Sequence, residues 1–217
     1  MNLLKYLTLS ISLTVPFALE ASCPMHPDAP PELQANHACC RIAQEKWEAE
    51  LAKIAPTDLS LYQVPSEWQT QDAKSIALAD LAGKPQFVAL AYTHCQYACP
   101  RLLADLKSIE AQLPKDSDAN FVIVSIDPER DTPERLAAYA AEQELDTERW
   151  TLLHGAPGDV LELANLLGVR YAKTPTGDYT HSNIITLLNA QGEIVHQQNG
   201  LGADDKPTLE KLAKLNP

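Results

Sequence analysis

The stretch Thr93-His94-Cys95-Gln96-Tyr97-Ala98-Cys99-Pro100 separates two segments of different pattern. Residues 86–92 before it form a largely apolar run that starts after a Gly-Lys-Pro turn, which is typical of a buried central strand. After it, with Pro100 suited to a first turn, apolar residues recur at helical spacing until Pro114 and predict a helix of about four turns: Leu102, Leu103, Leu106, Ile109 and Leu113. The two cysteines are therefore expected at a strand-to-helix junction.

Cys95 and Cys99 are four positions apart, a spacing that permits either a disulfide or two ligands to one metal ion. Unpaired amide hydrogens and the positive end of the helix dipole stabilise a thiolate at a helix start. The thiolate is the form that attacks disulfides and binds soft metals. A purely structural disulfide, or two small buried residues, is the alternative interpretation.

The length and charge of the chain limit its function. Its 217 residues suit one domain with extensions, and its formal net charge of −12 argues against nucleic-acid binding. A solvated acidic surface, or a basic protein partner, accounts for the charge. The five cysteines cannot all pair within one molecule, and in an exported chain they indicate redox chemistry or metal binding.

Residues 1–21 are typical of a secretory signal peptide. Lys5 supplies a positive start, residues 6–19 are mostly apolar, and Leu19-Glu20-Ala21 offers a cleavage site. The apolar part is too short to span a bilayer comfortably. An exported, periplasmic protein beginning near Ser22 is therefore expected. A lipoprotein signal before Cys23 and an uncleaved membrane anchor remain open.

Residues 22–55 form a second segment, rich in soft metal ligands at its start. Thiolate, thioether and imidazole are the groups that Cu(I) prefers, and the candidate accessory ligands here are Cys23, Met25, His26, His37, Cys39 and Cys40. A disulfide from Cys23 to Cys39 or Cys40 is the alternative to metal binding. From Gln34 onward a helical pattern is predicted, with apolar residues on one face up to Ile54.

Residues 56–217 alternate between strand and helix patterns. The sequence predicts short strands over 56–84, further strands at 121–125 and 150–153, a helix capped by Thr132, a helix at 159–167 ending at Gly168, a hairpin of 184–188 with 193–196, and a last helix near Pro207. The fold class expected is α/β, a thioredoxin-like sandwich with a central mixed β-sheet flanked by helices. An N-terminal Cys/His-rich helical extension would precede it.

Three motifs in order resemble those of the Sco/SenC family of copper-binding, thioredoxin-like proteins. They are Cys95-x3-Cys99-Pro100, the segment from Ser125 through Asp127 and Arg130-Asp131 to Pro133, and His181-Ser182 ahead of a hairpin with Gly192 in its turn. The family usually carries Pro and an acidic residue after the first cysteine, whereas this chain has Gln96-Tyr97-Ala98. This difference bears on the choice of partner.

The resemblance implies that Cys95, Cys99 and His181 ligate one copper ion, as Cu(I) or Cu(II). It also implies an acceptor protein for the copper, such as subunit II of cytochrome c oxidase with its dinuclear copper centre. Asp127, Arg130 and Asp131 would stitch their loop together or shape the site. For His181 the alternative is a loop histidine fixing the turn over 179–183, and His94 is expected to point into solvent.

Three other functions compete with a metallochaperone. In a thiol-disulfide reductase, Cys95 attacks a partner's disulfide and Cys99 resolves the mixed disulfide. A copper sequestration or resistance protein would depend on the segment 22–40. A peroxidase is disfavoured, because Thr93 lies two residues before Cys95 rather than the three of peroxiredoxins. His181 distinguishes the metallochaperone, which needs it, from the reductase.

Overall fold

The computed structural model describes residues 57–215. The predicted signal peptide and the Cys/Met/His segment with its helix, which together cover residues 1–55, lie outside the described residues. The described strands are β1 (Glu67–Thr70), β2 (Ser75–Ala77), β3 (Gln86–Ala91), β4 (Asn120–Ser125), β5 (Trp150–Gly155), β6 (Tyr171–Lys173), β7 (Tyr179–His181), β8 (Ile184–Leu188) and β9 (Ile194–Asn199). The α-helices are α1 (Ala98–Gln112), α2 (Pro133–Glu142), α3 (Pro157–Leu166) and α4 (Lys206–Leu212), and short 3-10 helices cover Leu61–Gln63 and Leu78–Leu81.

Seven of these strands form one mixed sheet in the order β2-β1-β5-β4-β3-β8-β9. Strands β3, β4 and β5 run parallel to one another, whereas β8 pairs antiparallel with β3 and β1 pairs antiparallel with β5. The helices flank this sheet. The expectation of a thioredoxin-like α/β fold with a central mixed sheet is therefore confirmed.

Strand β3 lies at the centre of the core, and all six of its residues are buried. A strand covered on both faces has no polar side to alternate with, which explains its continuous apolar run. Aromatic rings cross the neighbouring strands in register: Phe87 stacks on Phe121 at 5.1 Å between ring centroids, and Phe121 stacks on Trp150 at 4.5 Å. These contacts fix the alignment of β3, β4 and β5.

Helix α1 carries the Cys-x3-Cys motif in its first turn and the loop before it. The helix begins at Ala98, so Pro100 is its third residue, where no intrahelical amide bond is lost. It ends at Gln112, two residues before Pro114. Its buried face is made of the residues that the spacing predicted, among them Leu102, Leu106 and Ile109.

Two further helix boundaries follow the predicted signals. The side chain of Thr132 accepts the amide hydrogen of Arg135 and caps α2, with Pro133 as the first helical residue. Beyond α3, Gly168 has a φ of +67°, the left-handed conformation expected of a glycine after a helix end.

Residues 171–181 differ from the turn over 179–183 that the alternative interpretation of His181 assumed. Strands β6 and β7 pair antiparallel as a separate two-stranded sheet, with Tyr171 opposite His181. His181 is thus the last residue of a strand, not a residue of a loop. Each strand has only three residues, too few to show an alternating pattern in the sequence.

The described helices, in residues 57–215, include none that is long and apolar enough to cross a membrane.

Candidate metal centre

The two cysteines lie where β3 leads into α1. Cys95 is half-buried in the connecting loop, whereas Cys99 is buried within the first turn of the helix, and both are free thiols. Tyr97 is the N-cap residue of the helix, and its side chain makes no capping hydrogen bond. Instead, the amide of Cys99 donates a hydrogen bond to the sulfur of Cys95 at 3.3 Å. Cys95 therefore takes the place of a capping side chain at the helix start.

The two thiols differ in acidity because their surroundings differ. Burial opposes the charged form of Cys95, but hydrogen bonds from the amides of Cys99 and Tyr97 outweigh it and lower the pKa of the Cys95 thiol. Burial raises the pKa of Cys99, and the neighbouring Cys95 raises it further. Cys95 is consequently the sulfur that ionises first.

His181 is the last residue of β7 and lies next to Cys99. Its Nε2 lies 3.4 Å from the sulfur of Cys99, and its Nδ1 lies 3.1 Å from the carbonyl oxygen of Ser182. Burial lowers the pKa of His181, so the neutral imidazole is favoured. With the Nδ1 hydrogen donated to Ser182, the lone pair of Nε2 faces the sulfurs.

The structure brings all three predicted metal ligands together. The sulfurs of Cys95 and Cys99 and a ring nitrogen of His181 lie within 4.8 Å of one another. Two thiolates with one imidazole form a soft donor set that suits Cu(I) and also accepts Cu(II). The donor set therefore fits a copper ion.

Tyr92 connects the two segments that carry these ligands, although the sequence pattern did not identify it as a site residue. It follows β3 directly, and its buried side chain ends in a hydroxyl that lies 3.3 Å from the amide nitrogen and 3.4 Å from the carbonyl oxygen of Tyr179, on the strand of His181. The only hint in the sequence was a phenol at the end of an apolar strand. Its significance depends on a neighbour 87 residues away.

Asp131, in the loop between β4 and α2, joins this loop to the loop that carries Cys95. Asp131 is fully buried and accepts hydrogen bonds from the amide of Thr93 at 3.0 Å, the hydroxyl of Thr93 at 2.6 Å and the hydroxyl of Ser125 at 2.6 Å. Asp131 thereby fixes the residue two positions before Cys95.

Asp127 and Arg130 connect the same loop to the β6–β7 sheet. Their side chains form an ion pair, and Arg130 also donates a hydrogen bond to the carbonyl oxygen of Gly177 at 3.1 Å. The hydroxyl of Tyr179 lies 3.5 Å from a carboxylate oxygen of Asp127. These residues therefore contact the strand that carries His181 without joining the cluster of sulfurs.

His94 does not join Cys95 and Cys99. Its side chain is 46% exposed and its Nδ1 lies 3.2 Å from the hydroxyl of Thr93 and 3.7 Å from Asp131. It forms a second group with Asp127 and Asp131, whose ligand atoms lie within 4.8 Å of one another. Both carboxylates already have partners: Asp127 pairs with Arg130, and Asp131 accepts hydrogen bonds from Thr93 and Ser125.

The outer side of Cys95 opens onto a surface depression of about 420 Å³. Its lining includes Tyr92, His94, Cys95, Tyr97, Arg130 and Tyr179. Tyr97 is 88% exposed, although it lies two residues from Cys95 and carries a large aromatic ring. A partner can therefore approach Cys95 from solvent, while Cys99 stays covered. The six candidate accessory ligands between Cys23 and Cys40 lie outside the described residues.

The family model described as SCO1/SenC matches residues 57–216. The chain is 28% identical to the SCO1 protein homolog of Bacillus subtilis over 145 residues, which cover 64% of this chain and 75% of that protein. The structure of Bradyrhizobium japonicum ScoI with copper bound is 29% identical and has a TM-score of 0.57, over 70% of this chain and 95% of that one. A SCO1/SenC family lipoprotein from Bacillus anthracis shares the fold, with a TM-score of 0.66 at 23% identity, over 75% of this chain and all of that one.

Proposed function

Because this chain belongs to the SCO1/SenC family, we propose that it is a copper metallochaperone: it binds one copper ion and passes it to an acceptor protein. The ligands in this proposal are the sulfurs of Cys95 and Cys99 and the Nε2 of His181. Copper is the cargo of the protein, and no bond of a substrate is made or broken apart from those to the ion.

The main support for this proposal is the short distance between the three candidate ligand atoms. Two sulfurs at a helix start and an imidazole 82 residues away from Cys99 meet within 4.8 Å. A dithiol enzyme needs the two sulfurs but has no use for an imidazole whose Nε2 faces them. A copper ion uses all three, and the bound ScoI structure of B. japonicum shows that a relative of 29% identity binds copper.

The unequal exposure of the sulfurs supports a transfer by ligand exchange. Three protein ligands leave one side of a copper ion open. Cys95 faces the surface depression, so an incoming thiolate of the acceptor reaches copper on that side and displaces Cys95 first. Cys99 and His181 are more buried and hold the ion until the acceptor supplies further ligands.

We propose the dinuclear copper centre of cytochrome c oxidase, in subunit II, as the acceptor, in line with the role that the family resemblance implies. Delivery there requires export. We therefore also propose that residues 1–21 direct export to the periplasm, either as a cleaved signal or as an anchor. Residues 22–55 would supply an accessory copper site, and residues 56–217 the folded carrier domain.

An anaerobic copper titration of the reduced protein tests the proposal. We expect one tight site in residues 56–217, with a thiolate-to-copper absorption band when Cu(II) is bound. His181→Ala should weaken Cu(II) binding and alter the band, whereas His196→Ala, at a half-buried histidine of β9, should leave both unchanged. Equal binding by His181→Ala and the unaltered protein would contradict the copper site.

The asymmetric thiols support a second candidate, a reductase that keeps the acceptor's cysteines reduced. The lowered pKa of Cys95 and its half-exposure suit an attacking thiolate, and the buried Cys99 suits the resolving position. This candidate ranks second because it gives His181 no role. Full disulfide-reducing activity in His181→Ala, together with unchanged copper binding, would favour it over the metallochaperone.

A further inference from the structure

Tyr92 lies between the two segments that carry the candidate copper ligands. In the chain it comes three residues before Cys95, and it is buried beside the β6–β7 sheet. Its hydroxyl accepts a hydrogen bond from the amide of Tyr179 at 3.3 Å and donates one to the carbonyl oxygen of Tyr179 at 3.4 Å. Because Tyr179 begins β7 and His181 ends it, this pair of hydrogen bonds ties the strand of His181 to the end of β3.

The ring of Tyr92 also contacts the imidazole itself. The two ring centroids are 6.1 Å apart at an interplanar angle of 79°, an edge-to-face arrangement. The ring of Tyr179 packs edge-on against Tyr92 at 5.4 Å. With its Nδ1 bound to Ser182, the His181 ring is thus restrained both in its plane and in its distance from the sulfurs.

Other polar contacts of this strand pair lie at its open end, toward its turn or on its outer side. At the open end, the amide of Ser182 donates a hydrogen bond to the carbonyl oxygen of Arg170 at 2.8 Å, and the amide of Arg170 donates one to the hydroxyl of Ser182 at 3.2 Å. Arg130 bonds to Gly177 in the turn, and Asp127 faces the hydroxyl of Tyr179. Among the described residues, Tyr92 therefore combines a backbone hydrogen bond to β7 with direct ring contact to His181.

We propose that Tyr92 is a positioning residue that holds His181 in place for Cu(II). The inference rests on the proposed copper site and concerns its preference between oxidation states. Two thiolates satisfy Cu(I), whereas Cu(II) gains more from the added imidazole nitrogen. A residue that fixes His181 therefore favours Cu(II) binding and has little effect on Cu(I).

Tyr92→Phe tests this inference because it removes the hydroxyl and keeps the ring. We expect the affinity for Cu(II) to fall about tenfold, the size of effect that the loss of a hydrogen bond produces, and the affinity for Cu(I) to change by less than about twofold. The thiolate-to-Cu(II) absorption band should shift as well. Tyr179→Phe is the matched control, since it removes a hydroxyl from the same ring cluster but leaves its backbone bonds to Tyr92.

A double-mutant cycle with His181→Ala decides how Tyr92 acts. If Tyr92 works through His181, Tyr92→Phe has no further effect on Cu(II) affinity once His181 is alanine. An equal effect in both backgrounds would overturn the inference, and so would a Tyr92→Phe protein that loses Cu(I) affinity to the same extent or fails to fold. If His181→Ala itself leaves Cu(II) affinity unchanged, it is the proposed copper site that fails.

Discussion

The Nε2 of His181 lies 3.4 Å from the sulfur of Cys99, although 82 positions separate the two residues in the chain. Cys99 belongs to a helix packed on the seven-stranded sheet, and His181 belongs to a two-stranded sheet beside it. The candidate metal centre thus forms only when these two parts of the fold are correctly aligned.

Alkylation of Cys95 should continue to lower pH than alkylation of an ordinary thiol. Its pKa in the folded protein is lowered because, although burial opposes ionisation, the amides of Cys99 and Tyr97 stabilise the thiolate. In a Cys99→Ala variant, the iodoacetamide reaction should therefore reach half its maximal rate below the pH of about 8.5 expected of an unperturbed cysteine. Mass spectrometry at a series of pH values measures the rate.

The lowered pKa of Cys95 also determines how the free energy of unfolding depends on pH. Because the folded pKa of Cys95 is below the unfolded one, its thiolate stabilises the fold fully above the unfolded pKa, and this contribution is lost as the pH falls through the folded pKa. A midpoint of alkylation in the folded protein equal to that measured in concentrated urea would contradict both expectations.

Asp131→Asn should destabilise the protein by about 1–3 kcal/mol. The carboxylate of Asp131 accepts three hydrogen bonds from Thr93 and Ser125 in a fully buried position, and an amide group would turn one acceptor into a donor facing another donor. Urea unfolding gives the free energy of unfolding. The exposed Asp116 supplies the control, for which Asp116→Asn should change it by less than about 0.5 kcal/mol.

Gly192→Ala should destabilise the β8–β9 turn. Gly192 has a φ of +82°, and a Cβ there would lie 2.6 Å from the ring of Tyr62. We expect a loss of at least about 1–2 kcal/mol in the free energy of unfolding from the left-handed backbone alone. Gly158→Ala is the matched control: it lies in α3 with no atom within 4 Å of an added Cβ, so it should be neutral or stabilising by up to about 1 kcal/mol. Equal losses in the two variants would refute the argument.

Tyr97→Ala should slow copper transfer without weakening copper binding. The Tyr97 ring is 88% exposed beside Cys95, and exposed aromatic residues at an interface often contribute strongly to association. We expect at least a fivefold decrease in the second-order rate of transfer to a soluble acceptor domain in stopped-flow measurements, with unchanged affinity for Cu(I). Leu59→Ala, at another exposed apolar residue, should leave the transfer rate as it is.

Removal of residues 22–40 should reduce the number of Cu(I) ions bound and leave the site of Cys95, Cys99 and His181 intact. The segment holds three of the five cysteines, along with Met25, His26 and His37. Anaerobic titration against a Cu(I) chelator gives the stoichiometry. Unchanged stoichiometry would eliminate the accessory site and with it the copper sequestration function.

The elements that the sequence predicted well are those whose signals are local. Strand β3 has a continuous apolar run because both of its faces are buried, and α1 shows helical spacing between a proline in its first turn and Pro114. The strand-to-helix position of Cys95 and Cys99 follows directly from these two patterns. The cap by Thr132 and the left-handed Gly168 depend on single residues that favour those conformations.

The parts that could not be predicted depend on contacts between distant segments. Strands β6 and β7 have three residues each, so no periodicity marks them, and their pairing is visible only in the fold. The approach of His181 to Cys99 could be expected from the family resemblance but not from spacing. Nothing in the sequence indicated that the Tyr92 hydroxyl reaches Tyr179, since that contact requires the two-stranded sheet to be placed against the end of β3.

Cys95 and Cys99 lie at the start of α1, whereas His181 lies in the β6–β7 sheet, and this separation has a consequence for local motion. In the proposed site, a copper ion bound by Cys95, Cys99 and His181 would be a removable cross-link between residues that are 82 positions apart, Cys99 and His181. We expect its loss to let β6–β7 open while the buried strands β3 and β4 remain paired. Hydrogen exchange should therefore slow on copper loading at the amides of residues 171–181, and stay unchanged in the central strands.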